Sequence, residues 1–94
     1  MKFMMTYEIG PEGWDRAVKR FLDTGGLPPA GVKMLGRWNS AAGRYGFILL
    51  EGNDPSAIYR FSAEWNDVCN LRVTPVIEDE ETAKVLGSLK KKKK

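Results

Sequence analysis

The sequence contains no histidine, a single cysteine and no run of 18 apolar residues. Each absence excludes something. Without imidazole the chain lacks the commonest metal ligand, the usual haem axial ligand and the side chain that most often serves as general base near neutral pH. Cys69 by itself cannot close an internal disulfide, and no histidine is present to activate it as a nucleophile. A small buried apolar side chain is expected there, in a reduced, cytoplasmic protein. The N-terminal residues show no charged segment leading into an apolar one, as a signal peptide would, and no stretch has the length of a membrane-spanning helix. The expectation is a soluble protein with no metal, no cofactor and no membrane association.

Positive charge is scarcer than the total suggests. Five of the fifteen Lys and Arg residues are Lys90 to Lys94, which leaves ten against twelve Asp and Glu in residues 1–89, a body charge of −2. Residues 90–94 are read as a solvated poly-Lys tail, and residues 1–89 as a single domain. A chain of 94 residues builds one core and hides only about 60–65% of the surface its unfolded form exposes.

What is present is ordered by period. Residues 2–9 alternate Phe3, Met5, Tyr7, Ile9 against Met4, Thr6, Glu8, which is strand periodicity ended by Gly10 and Pro11. Trp14, Ala17, Val18, Phe21 and Leu22 recur at helical spacing, and Gly25-Gly26 supplies a left-handed cap. Residues 32–39 alternate Val32, Met34, Gly36, Trp38 against Lys33, Leu35, Arg37, Asn39. They turn through "NSAAGR" into a third strand, 45–51. Asp54-Pro55 opens a second helix with Ile58, Phe61 and Trp65 on its buried face. Residues 71–77 form a fourth strand carrying Pro75, which suits a sheet edge. A last helix begins in the acids of "EDEETAKVLGSL".

The order β-α-β-β-α-β plus a terminal helix predicts an α+β, ferredoxin-like fold with a four-stranded antiparallel sheet in order 4-1-3-2. The first and third strands are apolar on both faces, as central strands are. Two helices cover one face of such a sheet, so the other needs a cover. A second copy packed sheet to sheet would supply it. The strand "GRYGFILLE" comes close to the base-stacking strand of RNA-recognition domains, with Tyr45 and Phe47 on one side. The acidic body, the single cation in the preceding loop and the aliphatic Ile48 and Leu50 disfavour nucleic acid, and packing of Tyr45 and Phe47 is expected instead.

Four segments, "MKFMMTYEI", "RFLDTGGLPPAGVKMLGRWN", "GFILLEGNDP" and "TPVIEDEE", resemble in order the bacterial domain of unknown function 3303 family. The stretch Gly25 to Trp38 carries the most specific part of that likeness. The family is similar to the dimeric α/β-barrel superfamily, whose ferredoxin-like subunits pair through their sheets. The resemblance implies a homodimer around an inter-sheet cavity, and some superfamily members are cofactor-free monooxygenases or haem degraders. A histidine often follows the signature tryptophan in the family, and here Asn39 stands in its place.

The expected function is small-molecule binding in the inter-sheet cavity, with a cofactor-free oxygenase or isomerase-like activity as the alternative. Arg37 and Asn39 share one strand face and suit an anionic or carbonyl ligand. With Thr6 and Arg72 they are the polar members of strands built for burial, and these four are the expected polar lining. Trp38, on the opposite face of its strand, is expected in the core against the helices.

Overall fold

A computed structural model describes residues 1–92 of the chain. Four strands form one antiparallel sheet: β1 (Lys2–Ile9), β2 (Lys33–Asn39), β3 (Tyr45–Glu51) and β4 (Cys69–Val76), in the order β2-β3-β1-β4. Read from the other edge this is the expected 4-1-3-2. Pro75 indeed lies on an edge strand, where the N–H it lacks has no partner to miss.

Two helices, α1 (Trp14–Thr24) and α2 (Pro55–Trp65), lie against one face, and α3 (Asp79–Lys92) follows β4. Pro11 starts a short 3-10 turn, Pro11–Gly13, ahead of α1. At the other end Gly25 takes φ 76° and donates its N–H to the Phe21 carbonyl at 2.7 Å, closing the helix as a left-handed cap does. Asp54 caps α2, its carboxylate accepting from the Ser56 N–H at 2.9 Å.

The core is asymmetric. Phe3, Met5, Ile48 and Leu50 from the two central strands pack with Ile58 and Phe61 of α2. From α1 only Ala17 is fully buried, in a smaller cluster with Val68 and Cys69. The buried apolar thiol expected at Cys69 is there. α2 therefore closes onto the sheet, whereas Trp14 and Val18 of α1 are only half-buried and Phe21 and Leu22 are exposed.

Pairing registers settle the faces. The rows Phe3-Leu50, Met5-Ile48 and Tyr7-Gly46 look toward the helices, while Met4-Leu49, Thr6-Phe47 and Glu8-Tyr45 look away. β2 departs from strict alternation. Met34 pairs with Leu50 and Gly36 with Leu49, so Leu35 is an unpaired extra residue in a β-bulge. One inserted residue swaps the faces beyond it. Arg37 and Asn39 consequently join Met34 on the helix side, and Trp38 lands on the open face, 56% exposed, rather than in the core. Tyr45 and Phe47 are also on the open face, 46% and 44% exposed, in an edge-to-face pair with centroids 6.3 Å apart. Within one copy of the chain the packing expected for them is not made.

α3 projects from the body. From Asp79 to Lys90 every residue except Thr82 is exposed, and Val85, Leu86 and Leu89 form an exposed apolar stripe. The radius of gyration, 16.5 Å, exceeds the roughly 12 Å of a compact domain of this length. Lys90 to Lys92, expected as tail, continue this helix, and the last two lysines lie outside the described residues. Among the described residues no helix is long and apolar enough to cross a membrane.

Candidate functional site

Because α1 stands off the sheet, a cavity of about 230 Å³ opens between them. Its roof is the apolar stripe of α1, Trp14, Val18, Phe21 and Leu22. Its floor is Met5, Tyr7, Ile9 and Ile48, and its far end is closed by Phe61, Trp65, Cys69 and Leu71. The stripe that periodicity identifies as a core face is thus the wall of a cavity.

Three arginines tie α1 to its surroundings, Arg16 loosely through Asp67 at 3.7 Å and Arg20 and Arg37 more closely. Arg20, on the helix, forms a two-pronged pair with Asp67, Nη1 donating to Oδ1 at 2.8 Å and Nη2 to Oδ2 at 2.7 Å. It also donates to the Glu64 carbonyl at 2.8 Å and lies 5.4 Å from the Trp65 ring centre. The hydrogen bonds from Arg20, and to a lesser degree its charge, hold the Asp67 carboxyl at about 2, well below the usual carboxylate range. Arg37 reaches up from β2 to the C-terminal end of α1. Nη1 donates to the Gly26 carbonyl at 2.8 Å and Nη2 to that of Gly25 at 3.0 Å, with the guanidinium 4.8 Å from the Phe21 ring centre. Gly26, at φ 59°, is needed there, since a Cβ would come within 2.8 Å of Arg37 Nη1.

The polar groups gather at the mouth. Tyr7 lies across β3, over Gly46, and its hydroxyl donates to Asn39 Oδ1 on β2. A Cβ on Gly46 would press into the Tyr7 ring and approach the Trp38 carbonyl oxygen to 2.5 Å. Glycine at 46 is what lets a residue of β1 touch one of β2. Burial raises the Tyr7 hydroxyl above its ordinary value, against the opposing pull of the Arg37 charge. Burial likewise pushes the Cys69 thiol up, opposed by Arg20. Both groups remain protonated at neutral pH.

Of the four residues expected to line one pocket, the structure brings Arg37 and Asn39 together at this mouth. It places Thr6 and Arg72, a directly opposed cross-strand pair, on the other side of the sheet. There they border an open depression with Glu8, Tyr45 and Phe47. Sequence reasoning missed Trp14, Trp65 and Cys69 as lining residues. Their apolar periodicity is that of a core, and no pattern in a sequence distinguishes a core that closes from one that does not. Among the described residues, no group of three or more acidic, cysteine or histidine side chains is placed to hold a metal ion.

The family model described as "Domain of unknown function (DUF3303)" matches residues 1–90, and the chain belongs to this family. Among solved structures, the crystal structure of SCO4226 from Streptomyces coelicolor A3(2) matches with 17% identity and a TM-score of 0.45, covering 83% of this chain and 100% of that one. No curated protein matches.

Proposed function

We propose that this member of the DUF3303 family binds a small, mostly apolar molecule in the cavity between α1 and the sheet. The observation that carries this is the cavity itself, apolar within and polar only at its mouth, where Tyr7, Asn39 and Arg37 meet. That is the composition of a ligand pocket. Its volume of about 230 Å³ exceeds the roughly 150 Å³ of an apolar cavity that admits benzene. An inter-sheet cavity would retain only Thr6 and Arg72 of the expected polar set, which favours the helix side for the ligand. Mass spectrometry of small molecules carried through purification tests the proposal. Recovery of a ligand from the protein, and its loss from a Val18→Phe variant whose ring fills the cavity, is the expected result. Equal recovery from both would refute it.

The Tyr7 hydroxyl and the Cys69 thiol are both shifted toward their protonated forms, so neither is activated as base or nucleophile.

The same proposal includes a homodimer through the open sheet face. Its support is the apolar surface left there by Trp38, Tyr45 and Phe47, with Met4 and Leu49 between them. Single copies of a soluble domain seldom expose such a patch. A body charge of −2 favours a second copy over nucleic acid as its cover.

A further inference from the structure

We infer that the ligand of this cavity carries a carboxylate or an equivalent single anionic head, seated at Arg37 and Asn39, with its apolar body pointing inward toward Trp65 and Cys69. The inference rests on the proposed cavity and adds the chemistry of its occupant. Among the described residues no carboxylate lies within 4.0 Å of the Arg37 guanidinium, which is equally true of Lys33, Arg44, Arg60 and Arg72, but of these Arg37 is the one that lines the cavity. The partners Arg37 does have are the carbonyls of Gly25 and Gly26 and the face of the Phe21 ring, so among the described residues no ionised group offsets its charge at the mouth. Those two bonds use two of the five guanidinium N–H groups, and the rest are available to an acceptor.

The neighbouring groups point the same way. By accepting from Tyr7, Asn39 Oδ1 fixes the carboxamide with its NH₂ left to donate. The mouth is therefore rich in donors and cationic, which matches the two oxygens of a carboxylate. Position along the cavity agrees as well. Asn39 is exposed and Arg37 half-buried, while Met5, Ile48 and Phe61 are buried. An anionic head at the mouth stays partly hydrated while its apolar body leaves water, the cheaper arrangement for an amphipathic molecule.

The cavity contains its own reporters, since Trp14 and Trp65 line it and Trp38 lies on the far side of the sheet. In a Trp38→Phe background, emission is titrated with 3-phenylpropionate, 3-phenylpropan-1-ol and 3-phenylpropylamine, which share one apolar body. The carboxylate is expected to bind about ten- to a hundredfold more tightly than the alcohol, the range for a hydrogen bond to a charged group, and the amine most weakly. Arg37→Met should bring the carboxylate to the affinity of the alcohol. Alcohol or amine binding as tightly as the carboxylate to the Trp38→Phe protein would overturn the head-group inference and leave the cavity standing. No response to any of the three would overturn the cavity and the inference together. Should Arg37→Met fail to fold by circular dichroism, the ratio measured without it decides the question.

Discussion

Gly46 and Asp67 show how much single residues decide here. Gly46 is the gap across which Tyr7 reaches Asn39, and its replacement collides both with a ring and with the Trp38 carbonyl, which is backbone and cannot swing aside. Gly46→Ala is expected to lower stability by at least about 1–3 kcal/mol in urea unfolding, as overpacking does. A stability equal to the parent's would show that the Tyr7 ring does not lie where it is described. Asp67 supports α1 through Arg20. A carboxyl held at about 2 in the folded state contributes stability above its unfolded value, near 3.9. That contribution is lost as pH falls through the folded value. The window is about pH 4 to 2. A carboxyl titration followed by NMR should place Asp67 near 2 and return it toward the ordinary range in Arg20→Gln. An unchanged value in that variant would mean the pairing is not its cause.

Among the elements, α1 and β2 separate what a sequence reveals from what it conceals. The strand and helix order, the glycine cap of α1 and the proline of β4 were legible because each depends on local chemistry: alternation, a left-handed turn, a missing donor. The bulge in β2 was not, since an alternating pattern looks the same with or without an unpaired residue at Leu35. That one residue sent Trp38 outward and brought Arg37 and Asn39 under the helices. The standoff of α1 was equally hidden, because an apolar stripe reads the same whether it closes onto a sheet or lines a cavity. It makes the helix's inner face forgiving. Val18→Phe should fold with stability within about 1.5 kcal/mol of the parent, since the added ring enters existing space instead of a closed core. Leu50→Ala, at a side chain with no exposed surface, should lose about 2–5 kcal/mol. Chemical denaturation compares the two directly, and equal losses would mean that α1 is as tightly packed as α2.

Among the described residues, the open sheet face and the stripe of α3 are exposed apolar surfaces. An isolated helix of this length is marginal in water, and packing normally stabilises it. A homodimer is predicted, so light scattering should give twice the 10.6 kDa of one chain, and Trp38→Glu with Phe47→Glu should return it to one. A parent that runs at 10.6 kDa at micromolar concentration would contradict this. Placing the dimer contact and the ligand on opposite sides of one sheet is the central claim, and methyl NMR during titration with 3-phenylpropionate tests it most directly. The account predicts shifts at Met5, Val18, Leu22 and Ile48 on the helix side, with Met4, Leu49 and Val76 on the open side unmoved. Shifts centred on Met4, Leu49 and Thr6, or none at any methyl, would contradict it.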